Sequence, residues 1–345
     1  MMSGLALSAV PGPDACPRRL ICVSVDAAVD RIVAVDRLMP GEVHRPEVLS
    51  VVPGGKALNV ARAAANLGMP VRAIAVLGGH AGDWTEAALR ARGIATHVVR
   101  ATGETRTCLS VLDRATGALT EFYEPGLTLD DAGWTAVETA LRAELTDDPS
   151  GSLVVLAGSL PPGAPGAGYA RLAEIANGAG GHAVVDADRT ALAEALAERP
   201  WLVKVNAREA ATAVDLAEAA TPGEARAVDG MAGEDAAVDA ARRIRVRTGG
   251  VVLVTRGTEG AVLVDDAGAA WRIGGPPERG QYPVGSGDSL LAGLVVALAA
   301  RLPLVEAARR GGAVAAANSL VPGQGELDTA DAERMLPAIS VDRIA

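Results

Sequence analysis

The sequence predicts an α/β fold in which a mostly parallel β-sheet carries helices on both faces. Short β-branched runs alternate along the chain with alanine-rich helical stretches, and the runs are apolar enough to be buried on both faces. The 345 residues, 49 % of them apolar, exceed the roughly 250–300 at which a single core usually stops growing. The excess length predicts one large domain with a smaller accessory element.

The individual elements follow from this alternation. Residues 1–19 contain Pro11-Gly12-Pro13 and show no periodicity, so we expect a flexible tail there and one folded domain over residues 20–345. Buried strands are predicted at Leu20–Val25, Val71–Leu77, Leu153–Ala157, Ala183–Val185, Leu202–Val205 and Val251–Thr255. Helices are predicted at Lys56–Leu67, Gly82–Arg92, Asp131–Leu145, Tyr169–Asn177, Thr190–Glu198, Ala207–Ala219 and Asp235–Arg247.

Two segments interrupt the alternation, because Arg31–Val52 and Thr105–Tyr123 each have the pattern of antiparallel strands, with a turn at 113–117 in the second. We expect them to form a small separate sheet that acts as a lid over a ligand site. The exposed edge of such a lid invites pairing with a second subunit, so a homodimer is expected. Thr221–Glu234, rich in glycine, proline and acidic residues, is predicted to be a solvated loop.

Composition excludes several classes of function. A formal net charge of −10 disfavours nucleic-acid and anionic-membrane partners. Apolar runs fall short of the ~20 residues of a membrane span, and the N-terminus lacks a signal-peptide pattern, so a cytoplasmic location is the default expectation. Three cysteines without CxxC spacing and four histidines form neither a zinc pattern nor a disulfide framework. Redox and metal-hydroxide chemistry are therefore disfavoured.

The basic residues comprise thirty arginines and only two lysines, Lys56 and Lys204. Lysine supplies a compact point charge where arginine supplies a planar fork. Lys56 follows Gly54-Gly55 at a helix start, and Asn59 lies three residues later on the same helix face. Lys204 ends a buried strand, where an ammonium is costly unless paired. We predict phosphate as the partner of Lys204; an ion pair with a nearby carboxylate is the alternative.

Near the C-terminus, Pro283–Ser289 leads directly into an apolar helix. Gly285 and Gly287 allow a close approach of the backbone to a ligand, and the unpaired N–H groups of a helix start favour negative charge. Asp288 either caps those N–H groups or accepts a proton from an attacking hydroxyl while the helix start holds a transferring phosphoryl group. Both interpretations are compatible with the sequence.

The usual nucleotide fingerprints are absent. A Walker loop ending at Lys56 would need glycine where Ser50 stands and serine or threonine where Ala57 stands. The glycines before Asp288 are followed by Leu290 where the dinucleotide motif has its third glycine. Ordinary P-loop enzymes and nicotinamide-dependent dehydrogenases are therefore disfavoured.

In combination, these motifs resemble the sugar kinases related to ribokinase, specifically their phosphofructokinase-B (PfkB) branch of phosphosugar kinases. The resemblance covers Ile21 to about Leu327 and is specific because of the order and spacing of its motifs. Those motifs are Gly54-Gly55-Lys56 with Asn59 to Arg62, Gly78-Gly79, Glu104 to Thr107, Gly158 to Gly163, Lys204 to Glu209, Thr255 to Gly260 and Val284 to Asp288. The resemblance implies a three-layer α/β/α sandwich with a small β lid.

The resemblance also implies roles for individual residues. Asp288 is similar to the family's catalytic base, with Gly285, Ser286 and Gly287 as the anion hole for the γ-phosphate. Substrate contacts are implied for Asp30, Gly54, Gly55 and Asn59, and contacts to the substrate's own phosphate for Lys56 and Arg106. ATP contacts are implied for Lys204, Asn206, Thr255, Gly257, Gly260 and Asn318. Asn206 and Glu209 are implied to position Mg²⁺, through water.

The chain also departs from the family pattern. Asp26-Ala27-Ala28 stands where Asn-Pro-Ala is common, so that Asp26 adds negative charge at the substrate end. Ala57 and Val205 replace a usual glycine and proline, and Asp186-Ala187-Asp188-Arg189 lacks the common Ser-Gly pair. The expected activity is ATP-dependent phosphorylation of a hydroxyl on a phosphorylated sugar such as fructose-1-phosphate, fructose-6-phosphate or tagatose-6-phosphate. Alternatives are a kinase for a phosphorylated cyclitol, another pseudo-sugar or a nucleoside, and, from another class, a non-catalytic sugar-phosphate sensor.

Overall fold

The computed structural model describes residues 19–146, 151–218, 233–278 and 280–344. The strands are β1 (Arg19–Ser24), β2 (Ala28–Val35), β3 (Glu47–Gly54), β4 (Val71–Leu77), β5 (Ala95–Arg100), β6 (Arg106–Asp113), β7 (Leu119–Tyr123), β8 (Ser152–Ala157), β9 (His182–Asp186), β10 (Leu202–Asn206), β11 (Val251–Thr255), β12 (Ala261–Val264), β13 (Ala270–Ile273) and β14 (Val341–Arg343). The helices are α1 (Lys56–Asn66), α2 (Gly79–Ala91), α3 (Asp131–Glu144), α4 (Gly168–Gly178), α5 (Arg189–Ala195), α6 (Ala207–Glu218), α7 (Glu234–Thr248), α8 (Ser286–Ala299), α9 (Leu304–Asn318) and α10 (Thr329–Met335).

The main sheet has the strand order β14-β13-β12-β11-β10-β9-β8-β1-β4-β5. From β11 to β5 all neighbouring strands are parallel, and the β12–β14 edge is antiparallel. One apolar core lies under helices α3 to α7, and a second lies on the opposite face under α1, α2, α8 and α9. The three-layer α/β/α architecture and the mostly parallel sheet predicted from the sequence are confirmed.

A second, four-stranded sheet has the order β3-β2-β6-β7 and forms the lid. As expected, β2 with β3 and β6 with β7 are antiparallel pairs. The central pair, β2 with β6, is parallel. Strand β2 follows β1, and β6 follows β5. Because β1 and β5 run in the same direction in the main sheet, the β2–β3 and β6–β7 pairs leave the main sheet at the same edge, and β2 and β6 begin in the same direction.

Several boundaries differ from the sequence expectations. Strand β2 begins at Ala28, three residues before the expected Arg31, which places Asp30 within the lid. The predicted helix 190–198 ends as α-helix at Ala195 and continues as a 3₁₀ turn. Strands β5 and β12 to β14 were not predicted. Strands β5 and β14 are the two edges of the main sheet, and β12 to β14 have only three or four residues each, so these strands lack the long apolar runs of buried parallel strands.

The predicted tail lies outside the described residues up to position 18, and strand β1 already begins at Arg19. The predicted loop 221–234 lies outside them up to position 232. Among the described residues, none of the helices combines the length and apolarity that crossing a membrane requires. The cytoplasmic location stays a prediction.

Candidate active site

Charged side chains from distant parts of the chain converge at the carboxyl edge of the main sheet. Lys204 of β10 donates to Asp186 Oδ2 at the end of β9 with an Nζ–O distance of 2.6 Å. Lys56, the first residue of α1, donates to Asp186 Oδ1 (2.9 Å) and to Glu209 Oε1 of α6 (3.1 Å). Carboxyl ends of parallel strands meet at one edge, which is where ligands bind in open α/β sheets. Within the protein, Lys204 thus pairs with a carboxylate, and Lys56 shares that partner; the contact of Lys204 with a phosphate stays a prediction.

Asp186 had no predicted role, although it is fully buried and bridges the two lysines of the chain. The two ammonium groups keep the pKa of this carboxyl below its usual range in spite of burial, which acts in the opposite direction. A signal was present in the sequence, since Asp186 directly follows the buried apolar run Ala183–Val185. Its partners lie 18 and 130 positions away, however, and local patterns do not reveal them.

The first turn of α8 forms an anion cradle. Gly285 has φ +83° at the N-cap position, and a Cβ there would lie 2.7 Å from Gln324 Cα, so glycine is required. Ser286 N–H donates to Pro283 O (3.2 Å), whereas no described protein group accepts from the N–H of Gly285, Gly287 or Asp288.

The ammonium of Lys204 lies against this turn. A Cβ at Gly287 would be 2.8 Å from Lys204 Nζ, so the missing side chain makes room for the cation. Unpaired N–H groups at a helix start, the positive end of the helix dipole and a lysine ammonium together favour an anion at this point. Of the three residues of the expected anion hole, the two glycines have N–H groups without a protein acceptor among the described residues, whereas the N–H group of Ser286 is already bonded.

Asp288 is the third residue of α8 and its side chain is directed away from the helix N–H groups. Its Oδ2 accepts from Asn59 Nδ2 of α1 (2.8 Å), and Oδ1 has no donor among the described residues. The residue is 6 % exposed, and burial raises the pKa of Asp288 to about 6, with Asp186 adding to the increase and Lys204 and Lys56 opposing it. The capping interpretation is therefore excluded by the geometry, because the carboxylate bonds to a different helix.

Asp30 lies at the junction of the lid and the main domain, together with Gly54 and Gly55. A Cβ at Gly54 would overlap the Asp30 carboxylate, so this glycine is needed for a close approach. Burial raises the pKa of Asp30 to about 6; Arg62 and Arg106 oppose this increase and Asp288 adds to it. The expected substrate residues Asp30, Gly54, Gly55 and Asn59 are thus brought together beside Asp288.

The two cations expected to hold a substrate phosphate have separate carboxylate partners. Arg106 Nη2 lies 2.9 Å from Asp26 Oδ2, and the same nitrogen donates to Asp26 O (3.4 Å). Lys56 is held by Asp186 and Glu209, as described above. Asp26 Oδ1 is buried without a hydrogen-bond partner among the described residues. The structure therefore places an ion pair with Asp26 at the guanidinium for which the resemblance implied contact with the substrate's phosphate.

A cavity of about 340 Å³ opens beside the anion cradle. Its lining is mostly small and apolar: Thr255, Gly257, Thr258, Gly260, Ala261, Ile273, Gly274, Pro276, Gly280, Pro283, Ser286, Gly287, Leu290, Gly312, Ala315, Ala316 and Ser319. The expected nucleotide residues of the Thr255–Gly260 turn lie here. Asn318 is not among these lining residues: it is fully buried, and its amide donates to Gly323 O (2.9 Å) and Glu326 O (2.8 Å).

Asn206 and Glu209 form a reciprocal cap at the start of α6. Asn206 N–H donates to Glu209 Oε2 and Glu209 N–H donates to Asn206 Oδ1, each at 2.8 Å. No cluster of three or more histidine, cysteine or acidic side chains suited to a metal occurs among the described residues. The possible cation ligands of the pair are three oxygens, which already accept protein hydrogen bonds: Asn206 Oδ1 and Glu209 Oε2 within the cap, and Glu209 Oε1 from Lys56. Oxygen ligands of this kind suit a hard cation held through water.

Residues 19–330 match the family described as pfkB family carbohydrate kinase. A curated relative, the 1-phosphofructokinase of Xanthomonas campestris pv. campestris, is 35 % identical over 324 residues, covering 92 % of this chain and 93 % of the relative. The crystal structure of phosphofructokinase-2 from Escherichia coli in complex with fructose-6-phosphate superposes with a TM-score of 0.79 at 26 % identity, covering 94 % and 99 % of the two chains. Ribokinase from Giardia lamblia, 16 % identical, shares the fold alone (TM-score 0.70, covering 93 % and 98 %).

Proposed function

The chain belongs to the pfkB family of carbohydrate kinases, and we propose that it transfers the γ-phosphate of ATP to a hydroxyl of a phosphorylated sugar of the fructose phosphate type. The observation that carries the proposal is the position of Asp288. Its carboxylate is buried, its Oδ1 has no donor among the described residues, and it lies in the first turn of a helix whose N–H groups at Gly285 and Gly287 have no partner there.

The geometry supports different roles in the transfer step for Asp288, which accepts a proton, and for the cradle and Lys204, which stabilise negative charge. The acceptor hydroxyl oxygen attacks the γ-phosphorus, its proton passes to Asp288 Oδ1, and ADP leaves with the electrons of the broken P–O bond. A pKa of about 6 leaves Asp288 ionised and able to accept a proton at neutral pH. The N–H groups of the cradle and the Lys204 ammonium stabilise the negative charge that is shared by the transferred group.

The cavity of about 340 Å³ supports ATP as the donor, because its small apolar lining suits a flat base and includes Gly287, against which the Lys204 ammonium lies. We propose that Asn206 and Glu209 position Mg²⁺ through water, and the ion when bound would neutralise charge on the nucleotide phosphates. The observation that favours this fit is that the Asn206 and Glu209 oxygens lie together at the start of α6.

For the acceptor, Asp30 and Asn59 offer hydrogen-bonding groups to sugar hydroxyls, and Arg106 offers a guanidinium to the acceptor's phosphate. The lid would exclude water, so that ATP is not hydrolysed in place of transfer. The lid carries exposed aromatic rings at Phe122 (54 %) and Tyr123 (57 %), and we propose that this surface meets the lid of a second copy. These exposed rings support the homodimer expected from the sequence.

One observation favours a second candidate, a kinase for an unusual acceptor such as a phosphorylated cyclitol, another pseudo-sugar or a nucleoside. Arg106 is already paired with Asp26, so an acceptor phosphate that enters would lie beside a carboxylate. Two like charges about 4 Å apart cost ~1 kcal/mol in water and several times more near a protein surface. Asp26 therefore weakens binding of a phosphate at this point, which within the second candidate favours an acceptor without a phosphate there, such as a nucleoside, over a phosphorylated cyclitol.

An assay of ADP release tests the proposal with fructose-1-phosphate, fructose-6-phosphate, tagatose-6-phosphate, unphosphorylated fructose, cyclitol phosphates and nucleosides as acceptors. Turnover of a fructose or tagatose phosphate is expected. Asp26→Asn should lower the KM for that phosphosugar about 5-fold or more, equivalent to ~1 kcal/mol. Turnover of a cyclitol phosphate or nucleoside alone would favour the second candidate, and binding of phosphosugars without any ADP release would indicate a sensor.

A further inference from the structure

We infer that Arg62 is a positioning residue that orients the catalytic base through the side-chain amide of Asn59. The inference rests on the proposed function of Asp288 as that base. It concerns a chain of three side chains, because Arg62 donates to Asn59 Oδ1 (2.9 Å) and Asn59 Nδ2 donates to Asp288 Oδ2 (2.8 Å). Among the described residues Arg62 forms no hydrogen bond with Asp288 itself, so its contact with the base runs through Asn59; its charge also opposes the rise in the pKa of the neighbouring Asp30.

The burial of Arg62 requires explanation. It is 0 % exposed, and burial lowers the pKa of its guanidinium even though the Glu326 carboxylate opposes this. A buried guanidinium is costly unless its donors are satisfied. Arg62 donates to Glu326 Oε1 (2.5 Å) and Gln324 O from the loop after α9, and to Asn59 on its own helix.

The chemistry of the guanidinium determines which way the Asn59 amide faces. Arginine has donors and no acceptor, so only the oxygen of the amide can bond to it. With Oδ1 held by Arg62, the NH₂ group of Asn59 must face Asp288. Without Arg62, a protonated Asp288 can donate to Oδ1 of an amide rotated by about 180°, whereas the ionised carboxylate can accept only from the NH₂ group. The arginine therefore removes an orientation that would stabilise the protonated form of the base.

The orientation of Asn59 matters for the base in two ways. Its hydrogen bond lowers the pKa of Asp288 against the effect of burial, so that more of the carboxylate is ionised near neutral pH. It also engages Oδ2, which leaves Oδ1 for the acceptor hydroxyl. Loss of Arg62 should therefore raise the pKa of the base and lower kcat, with little effect on ATP binding.

Arg62 also joins this network to the cradle. The Gln324 carbonyl that it contacts belongs to a residue whose Cα lies 2.7 Å from where a Cβ of Gly285 would be. A merely structural role through this loop must be distinguished from positioning. Arg92 offers a matched control, because it pairs with the same Glu326 oxygen (2.8 Å) and is not part of the hydrogen-bonded chain from Arg62 to Asp288.

The test compares Arg62→Gln, Arg62→Lys and Arg92→Gln, with Asp288→Asn measured in parallel, using the acceptor with the highest kcat/KM. Arg62→Gln should lower kcat about 10- to 100-fold, leave the KM for ATP within about 2-fold, and move the acid limb of the pH–kcat profile up by about one pH unit. Arg62→Lys, which retains donors only, should keep the wild-type acid limb. Arg92→Gln should lower Tm without moving the limb.

An unshifted acid limb in Arg62→Gln, or equal kcat losses in Arg62→Gln and Arg92→Gln, would overturn the inference. If Arg62→Gln does not fold, Glu326→Gln serves as the test instead, because it leaves the Arg62–Asn59 hydrogen bond in place. A shift of the acid limb of the pH–kcat profile in Glu326→Gln would contradict a positioning role for Arg62. Absence of any turnover by the wild-type protein would instead contradict the proposed function. The pKa of Asp288 is then read from the pH dependence of stability, by comparing wild type with Asp288→Asn, each with and without Arg62→Gln.

Discussion

Replacing Asp288 with asparagine should abolish turnover and at the same time stabilise the fold. Asparagine has the same shape, and its carbonyl oxygen can still accept from Asn59 Nδ2, so the packing is preserved. The substitution removes a charge that the fold buries at a cost. A general base typically contributes a factor of about 10² to 10⁴, so kcat should fall by at least that much.

The gain in stability can be worked from the pKa. Burial raises the pKa of Asp288 from 3.8 to about 6, a difference of about 2 pH units, and each unit corresponds to ~1.4 kcal/mol. The folded protein then binds the proton of Asp288 more tightly than the unfolded chain does. The loss of unfolding free energy caused by burying the ionised carboxylate is therefore absent below about pH 4, grows between about pH 4 and pH 6, and is constant above about pH 6. Asp288→Asn should therefore gain about 2 to 3 kcal/mol of unfolding free energy relative to wild type between about pH 4 and pH 8.

Urea denaturation of both proteins at several pH values from about 4.5 to 8 measures this difference. Asp131→Asn, which removes an exposed carboxylate at the start of α3, controls for the general effect of losing an acidic residue. The reasoning is refuted if the difference in unfolding free energy between wild type and Asp288→Asn does not change with pH. Retained turnover in Asp288→Asn would refute the assignment of the base.

Two further predictions concern the site and the lid. Asp186→Asn would leave the buried ammonium of Lys204 without its carboxylate, so unfolding free energy should fall by about 3 to 5 kcal/mol, whereas Asp188→Asn at a half-exposed position two residues later should change it by less than about 1. Equal effects of the two substitutions in urea denaturation would contradict the buried pairing. Light scattering of the full chain should give the mass of a dimer, and Phe122→Glu should shift it towards the monomer. A monomeric mass for the wild-type protein at micromolar concentration would contradict the proposed dimer contact through the lid.

Local sequence patterns were sufficient to predict the main sheet, the anion cradle and the lid. The alternation of apolar runs and helical stretches predicted the parallel sheet, because the burial of each strand or helix determines the pattern of apolar residues within it. The glycines at 285 and 287 predicted an anion cradle because helix-start geometry and a missing side chain are also local properties. The lid could be predicted because the strand patterns of Arg31–Val52 and Thr105–Tyr123 are also local.

Only the tertiary structure decided which charges meet. Asp186 lies between Lys204 and Lys56 because β9 and β10 are neighbours in the sheet and α1 begins at the same edge, and sheet order does not follow chain order. Asp26 and Arg106 pair across 80 positions for a related reason, since β2 and β6 run side by side in the lid. In a buried site the partner of a charge sets its pKa and its availability to a ligand, and that partner is a property of the folded chain.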